Sequence, residues 1–538
     1  MAKSTSYLFK IAQHPQEFEQ IFRLNHETFA EEIPQHDRNE QRLLIDSFHH
    51  QNTYIIALKD HKVIGMISLA DKRPFSLDKK LGDIGAHLPE QIDENKLCEI
   101  RLLSIRKEYR KSKVFVGLLR MLYHVFQEKG YAGAVISGIL REEKLYKHIG
   151  FIPFAHLVGS GGATYQPMYI SKDHIQLSEK VLPAPVSFLP GPVLVTDNVL
   201  KAFSRQGFSH RENIFMEMMG RVRSMLTELT SAKYVQVMLG TGTLANDTVA
   251  AQLSLLNGKG LVLSNGEFGE RLAQRAARFN LDCHILRKEW GQPFEKDELM
   301  SALDSKVDWI WYVHCETSTG TVNQIEAITK LIDERPIKQV VDCISTIGAL
   351  PVSLEKVYLA TAVSGKGIES VSGLAFVFYN HVILPNEQIP PYLDLGLYHL
   401  HNSVPYTHSS SLLAALEQAL AKDFTKKFGD VAEWFAYTYK RLNEAGFTLL
   451  PAANQQCSPI MTVCLDPALS SVEIGDWMKK QGFSLHYQSS YLQERNWIQI
   501  SMLANVSIEN TEAMLQIFFA VCSYLRHLQD GSREALAN

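Results

Sequence analysis

The stretch AVSGKGIESVSGLAFVF, Ala362–Phe378, places one lysine, Lys366, on a turn of small residues and follows it with an apolar, strand-like run. Alone it is compatible with an ordinary surface loop, so the surrounding segments have to decide. Upstream and through this stretch, short apolar runs alternate with helical patterns: YVQVML, a helix from Thr243, KGLVLS, a helix from Phe268, DCHILR, VDWIWYVH, a helix from Ile325, KQVVDC, and then LAFVFY. That alternation predicts a mostly parallel sheet with helices on both faces. Ligands of open α/β sheets sit at the carboxyl ends of the strands. The polar residues just after each run are therefore the candidates.

GTGTLAND follows one run and opens a helix; its Gly240-Thr241-Gly242-Thr243 turn can offer backbone N–H groups and hydroxyls to a phosphate. The same turn is also a common structural device. YVHCETSTG offers Glu316, Thr317, Ser318 and Thr319 after a second run. QVVDCISTIG places Asp342 just past a third, either as a helix-capping group or as a counter-ion for a cation. Lys366 comes on the next loop. These pieces fit one chemistry. A lysine on a tight turn can form an imine with the aldehyde of pyridoxal phosphate. A carboxylate can hold the pyridine nitrogen protonated. A glycine-rich helix start can hold the phosphate, and Phe268 in NGEFGER can stack on the ring.

With LPGPVLVT, FSHRE, GTGTLAND, NGEFGER, HCETSTG, VDCISTIGALPVSL and SGKGIESVSGLAFVF in this order, Phe188 to Leu528 resembles the class V aminotransferases of pyridoxal phosphate fold type I. The likeness is to the branch with 2-aminoethylphosphonate–pyruvate and alanine–glyoxylate aminotransferases. It implies Lys366 as the imine lysine and Asp342 as the pyridinium partner. Ile344 is implied on the ring face opposite Phe268, Thr241, Gly242 and Thr243 as the phosphate cup, and Thr317 near the phenolic oxygen. Thr407, in VPYTHSSS, matches a position that reaches the neighbouring subunit's phosphate, which implies a homodimer with sites at the interface. Gly191, His210 and Arg211 fall in motifs on the substrate side. The family's Arg that forks a substrate carboxylate falls in NWIQISML, where Gln499 stands instead; Arg495 lies four residues earlier. Gly365 replaces an amide-bearing residue. A desulfurase-like use of the fold needs a mobile nucleophilic cysteine, for which Cys457 in NQQCSPI is the candidate, against an inert buried thiol.

The first region, about residues 6 to 172, mixes strands and helices. TYIIALKDHKVIGMISLA reads as a hairpin turning at Lys59-Asp60-His61-Lys62, KLCEIRLLSI as a strand and YAGAVISGI as another. VFVGLLRMLYHVFQEKG reads as a helix with Phe115, Leu118, Leu119, Leu122, Val125 and Phe126 on one face and Gly130 as its stop. LYKHIGFIPF and EIRLLSIRKEYRKSKVFVGLLRMLY resemble the closing motif and the pyrophosphate-binding strand, loop and helix of GNAT-type N-acyltransferases. The loop RKSKVF lacks the glycines usual there and is similar to that of acyl-homoserine-lactone synthases. The resemblance implies an acyl-CoA or acyl-carrier protein as acyl donor. Arg106, Arg110, Lys111 and Lys113 are either pyrophosphate contacts or a solvated helix start. Tyr146 is either the general acid for the leaving thiolate or a packed tyrosine. Glu99 is a candidate base for the attacking amine.

The totals agree with this division. The 538 residues are too many for one core, and 46% hydrophobic with 21% charged residues describes an ordinary globular chain. The net charge of -4 and the lack of a basic, aromatic-interleaved stretch argue against nucleic acid as a partner. Seven scattered cysteines without a C-x-x-C pair imply a reducing compartment and no structural zinc. No signal-peptide core or membrane-length apolar run is apparent, so the expected location is cytoplasmic, with no metal.

The expected architecture is α/β. It comprises a GNAT-like α+β domain at 1–172, a proline-bearing linker at 173–187, a large mostly parallel α/β aminotransferase domain at 188–450 and a small α+β domain at 451–538. The expected function is a bifunctional enzyme: a class V transaminase, moving an amino group between a small amine or amino acid and a keto or aldehyde acceptor, fused to an N-acyltransferase. The alternative is a pyridoxal phosphate-dependent lyase with a non-catalytic acyl-CoA or acyl-carrier binding domain.

Overall fold

The computed structural model describes residues 7–33, 35–90, 92–159, 164–175, 177, 181–182, 184–256, 258–303, 306–450, 457–504 and 506–537. The chain forms two compact units. One holds the residues up to Pro185 with Lys480–Gly482 and the chain from Gln516 onward; the other holds Val186–Lys479 and Phe483–Leu515. Part of the expected linker (176, 178–180 and 183) and the expected start of the small domain at 451 lie outside the described residues.

The first unit is a seven-stranded sheet of β1 (Leu8–Ile11), β2 (Asn52–Lys59), β3 (Lys62–Ala70), β4 (Leu97–Ile105), β5 (Gly133–Ile139), β6 (Ile152–Pro153) and β7 (Tyr165–Ser171), in the order β1-β2-β3-β4-β5-β7-β6. The β2–β3 hairpin turns at Asp60 and His61, both in the left-handed region (φ 48° and 61°), which suits the twist of the flanking strands. All neighbours are antiparallel except β4 and β5, whose parallel pairing runs from Leu97–Gly133 to Ile100–Ile136 and stops there. Beyond Ile100 both strands continue unpaired with each other, and Leu102 takes φ 53°.

The helix Val114–Glu128 buries Val114, Gly117, Leu118, Met121, Leu122, Val125 and Phe126. The expected stripe is thus rotated: Phe115 and Leu119 are only half-buried. The Phe9 ring lies where a Cβ on Gly117 would stand, so the helix turns its small residue toward the sheet. This unit also takes in the chain after Gln516, which composition did not foretell. There the Lys10 ammonium donates to Glu17 Oε1 at 2.9 Å and to the Tyr524 hydroxyl at 2.9 Å, and Tyr524 donates to Glu17 at 2.6 Å, all buried.

The second unit is built on a seven-stranded sheet in the order Cys283–Arg287, Lys259–Ser264, Val307–Val313, Lys338–Asp342, Leu359–Val363, Leu374–Tyr379, Tyr234–Leu239. Its first five strands are parallel; Leu374–Tyr379 runs antiparallel to both neighbours. Both faces are covered. Along Val307–Val313, Trp309, Trp311 and Val313 enter one core cluster, while Ile310 and Tyr312 enter the other. A separate three-stranded antiparallel sheet joins Thr448–Leu450, Ile460–Cys464 and Trp497–Ser501. Among the described residues no helix is long and apolar enough to cross a membrane. Phe376 is fully buried within the large sheet's core. Phe376→Ala is expected to cost about 3–5 kcal/mol, read as a lower midpoint in chemical denaturation.

Candidate active site

The turn that carries Lys366 is seated by backbone contacts first. The strand Leu359–Val363 runs into it, Ser364 Oγ donates to Val371 O at 2.7 Å, and Glu369 N–H bonds Lys366 O at 2.8 Å. A Cβ on Gly367 would lie 2.5 Å from Ile347 O, so only glycine lets the turn pack against the Ile347–Ala349 segment. From below, Lys427 donates to Gly367 O at 2.5 Å, to Leu503 O at 3.1 Å and to Glu369 Oε1 at 2.7 Å. Lys422 takes the other Glu369 oxygen at 2.5 Å. Burial brings the Lys427 ammonium down to about 8 despite the pull of Glu369.

The Lys366 ammonium stands 5.6 Å from the centre of the Phe268 ring. Desolvation lowers its pKa, opposed chiefly by the negative charge of Asp342. Asp342 ends its strand with 5% of its surface exposed. It accepts from Asn246 Nδ2 at 2.7 Å and from the Ile344 N–H at 2.9 Å, and Asn246 is itself held by Thr361 Oγ1 at 3.0 Å. Burial raises the Asp342 pKa, while those two donors and Lys366 work against the rise. Asp342 thus does not cap a helix. It is a buried carboxylate with an ammonium among the charges that act on it.

Two helix starts lie beside these residues and are treated differently. Glu316, fully buried, caps the helix Glu267–Arg278: it accepts from Phe268 N at 3.2 Å and Gly269 N at 2.9 Å, and Ser318 Oγ donates to it at 2.6 Å. These bonds fix Phe268. The helix Gly242–Ser254 has Thr241 at its N-cap, and the Thr241 side chain makes no capping hydrogen bond. Ile344 lies against it, because a Cβ on Gly242 would come within 2.5 Å of Ile344 Cδ1. Gly191 (φ 144°) closes the other side: a Cβ there would stand 3.5 Å from Lys366 Cγ.

Thr317 is buried, and its carbonyl accepts from Gln499 Nε2 at 2.7 Å. Gln499 also donates to Thr462 Oγ1 at 2.9 Å and meets His486 Nδ1 at 2.8 Å through Oε1. Its amide is used up by the protein. Arg495, considered as a stand-in carboxylate fork, is folded away: its guanidinium carbon lies 3.7 Å over the Trp290 ring, and it donates to Tyr491 O at 3.3 Å. Burial pushes the Cys457 thiol up to about 11, the wrong direction for a nucleophilic thiolate.

Thr407 and Arg211 are exposed, and the His210 ring sits edge-on to Phe215 at 6.4 Å. Among the described residues no hydrogen bond, ion pair or ring contact joins these three to Lys366, Asp342 or Phe268. Asn246, Glu369, Lys427 and His486 were not anticipated. Only Asn246 carried a signal, three residues past Thr243 inside GTGTLAND and so one helical turn inward.

In the first unit Glu99 is 1% exposed, and its carboxylate takes Ser76 N at 2.8 Å, Ser76 Oγ at 2.7 Å and Leu77 N at 3.1 Å. That is a loop anchor rather than a free base. Arg110 donates to Ile105 O at 2.8 Å and pairs with Glu32 at 2.5 Å, so its fork is committed to the protein. Tyr146 lies on the helix Glu143–Ile149 with its ring against Gly138 of β5, facing Phe151 edge-on at 6.4 Å.

The fold is that of the fold type I pyridoxal phosphate enzymes, and comparison with known proteins gives the family. The model of the class V aminotransferases matches residues 198–482, and the chain belongs to that family. A GNAT acetyltransferase domain model matches residues 24–120. The 42 kDa subunit of a soluble hydrogenase from Anabaena cylindrica is 30% identical over 54% of this chain and 81% of its own length. A 2-aminoethylphosphonate–pyruvate transaminase of Vibrio cholerae is 27% identical over 55% of this chain and 87% of its own. Among solved structures, ureidoglycine–glyoxylate aminotransferase from Bacillus subtilis shares the fold with a TM-score of 0.57 at 23% identity, covering 63% of this chain and 93% of that one. Alanine–glyoxylate aminotransferase from Nostoc sp. gives 0.56 at 23% identity, covering 65% and 98%. Pyridoxal phosphate is the cofactor of class V aminotransferases.

Two predictions follow from the buried charges. Glu369→Ala leaves Lys427 without its buried partner, and the expected cost is about 3–5 kcal/mol, measured by denaturant titration. His314, 6% exposed, has its pKa lowered to about 4 by burial. The unfolded chain binds that proton more tightly, so the stability present above pH 6.5 drains away as the pH falls toward 4, by up to about 3 kcal/mol. His314→Gln is expected to flatten the stability–pH curve in that window.

Proposed function

We propose that this chain is a bifunctional enzyme: a pyridoxal phosphate-dependent transaminase in its second unit and an N-acyltransferase in its first. The supporting observation is Lys366 over the Phe268 ring, with the buried Asp342 among the charges acting on it. The residues fit the cofactor. The start of the helix Gly242–Ser254, with Thr241, Gly242 and Thr243, offers N–H and hydroxyl donors for a phosphate. Phe268 and Ile344 supply two apolar faces for the ring, Asp342 a carboxylate for its nitrogen, and Lys366 an amine for its aldehyde. When bound, pyridoxal phosphate supplies an electron sink for the amine-bearing carbon of the substrate.

The protein's own part is proton handling and placement. Burial lowers the Lys366 pKa and so raises the neutral fraction that can take a proton from that carbon and return it. Asn246 and the Ile344 N–H hold the Asp342 carboxylate in one orientation. Phe268, fixed by Glu316, keeps water off one face. Thr407 would serve the site of a second copy of this chain, which makes the active form a homodimer.

The Vibrio cholerae relative is a 2-aminoethylphosphonate–pyruvate transaminase, and we take a small primary amine and a keto acid as this chain's substrate classes. The first unit, through the opening where β4 and β5 part, would acylate an amine from an acyl-CoA or acyl-carrier donor, with Tyr146 returning the proton to the thiolate. Fusion raises the effective concentration of a shared intermediate. The domain limits of the sequence reading and a cytoplasmic location belong to this proposal.

The test uses the full chain with 2-aminoethylphosphonate, pyruvate and labelled acyl-CoA. Lys366→Ala is expected to remove the cofactor's visible absorbance and to lower amino transfer by at least about 10²–10⁴-fold, while acyl transfer persists. Amine breakdown that needs no keto acid would replace transamination with a lyase. Absence of acyl transfer to any amine offered would leave the first unit a binding domain.

A further inference from the structure

We propose that Lys80 is an anion-binding residue at the opening between β4 and β5, and that the amine acylated by the first unit carries a carboxylate or phosphonate apart from its nitrogen. The second half rests on the proposed acyl transfer. The strand pairing fixes where the opening lies. Ile100–Ile136 is the last parallel pair, so Arg101 on β4 and Ser137 on β5 are the first residues past it. Side chains alternate along a strand. Glu99, Arg101, Val135 and Ser137 therefore share one face, and Ile100, Ile136 and Gly138 share the other. The packing agrees: Val135 belongs to the core cluster of Phe75, Leu77 and Leu97, and Ile136 to that of Leu118, Met121 and Met168.

Lys80 reaches the first of these faces from the short helix Asp78–Leu81. Its ammonium stands 5.1 Å from the centre of the Tyr165 ring and 3.4 Å from Ser137 Oγ. The side chain is open to solvent, yet the protein around the ammonium lowers its pKa, with Glu99 pulling the other way and Arg101 adding to the fall. The nearby carboxylates are already engaged. Both Asp46 oxygens take the Arg101 fork, at 3.0 and 3.1 Å. Glu99 is held by Ser76 and Leu77. Asp78, on the same helix, pairs with Arg73 at 2.5 Å. Among the described residues no carboxylate lies within ion-pair distance of Lys80 or of its neighbour Lys79, whose ammonium sits 4.2 Å from the centre of the Phe48 ring. A crowded cation with one long contact to a hydroxyl gains a charge-assisted hydrogen bond when an anion arrives.

Tyr146 stands on the other face, with its ring against Gly138. An acyl thioester seated in the opening then has the Tyr146 hydroxyl on one side of β5 and the Lys80 ammonium on the other. An amine tethered at Lys80 by its anion reaches the acyl carbon from the face away from Tyr146. As the C–N bond forms the C–S bond breaks; the nitrogen gives its proton to solvent, and the thiolate takes one from Tyr146. A plain alkylamine would leave Lys80 crowded and unpaired.

The test uses the full-length protein loaded with pyridoxal phosphate and three blocked amines: N-acetyl-2-aminoethylphosphonate, N-acetyl-β-alanine and N-ethylacetamide. They share one amide and differ in carrying a phosphonate, a carboxylate or neither, and their acylated nitrogen cannot react with the cofactor's aldehyde. Dissociation constants come from ligand-observed NMR titration. The wild type is expected to bind one or both anionic amides about tenfold more tightly than N-ethylacetamide, and Lys80→Met to remove that advantage, while Lys80→Arg keeps part of it. Tighter binding of the phosphonate or of the carboxylate supports the assignment equally and names the anion. Equal affinity for all three in the wild type, no measurable binding of any, or an anion preference that survives Lys80→Met overturns it. Labelled acyl-CoA is then offered with the free amines. Transfer to ethylamine as readily as to 2-aminoethylphosphonate and β-alanine overturns the acceptor class. Transfer to none of them, with Lys80-dependent binding intact, refutes the acyl-transfer reading and leaves Lys80 as the anion site of a binding domain.

Discussion

An ammonium and a carboxylate enclosed in the same protein interior are the constraint on which the second unit depends. Each resists being charged there, and each makes the other's charge tolerable. Lys366 cannot drift toward solvent, because Gly367 is pressed against Ile347–Ala349 and the turn is pinned from below by Lys427 and Glu369. Asp342 cannot rotate, because Asn246 and the Ile344 N–H hold both of its oxygens. The sheet sets where these groups stand. The strands ending at Val313, Asp342 and Val363 are parallel neighbours, and their carboxyl ends deliver Glu316, Asp342 and Lys366 to one rim.

Much of this was legible in the chain. Alternating apolar runs marked the strands of the large sheet, and the polar residues behind them proved to be those that assemble. What escaped has identifiable causes. The strand Leu359–Val363 is five small or apolar residues with no flanking helix pattern, and it was not among the runs named. The antiparallel sense of Leu374–Tyr379 depends on its neighbours, Leu359–Val363 and Tyr234–Leu239, one of them far away in sequence. Glu316 stood among the polar residues offered behind its strand and is a helix cap, because a buried carboxylate beside free N–H groups satisfies both.

Gln499 shows the limit most clearly. By resemblance it marked the loss of a guanidinium, and nothing in NWIQISML says what the amide does instead. That is settled by residues distant in sequence: Thr317 from the large sheet, Thr462 from the neighbouring strand, and His486 from the segment before it. The first unit repeats the lesson. Arg110 and Glu99 had the right chemistry for a site, yet Glu32 and the Ser76–Leu77 backbone claim them. Side-chain type is local information, whereas availability is decided by tertiary neighbours.

The proposed amino transfer depends on Lys366 as the amine that meets the cofactor's aldehyde. The direct measurement is borohydride reduction of the full-length protein loaded with pyridoxal phosphate, followed by peptide mass mapping. One phosphopyridoxyl group per chain is expected on the peptide containing Lys366. An unmodified Lys366 peptide, or the group carried by another lysine, would contradict it.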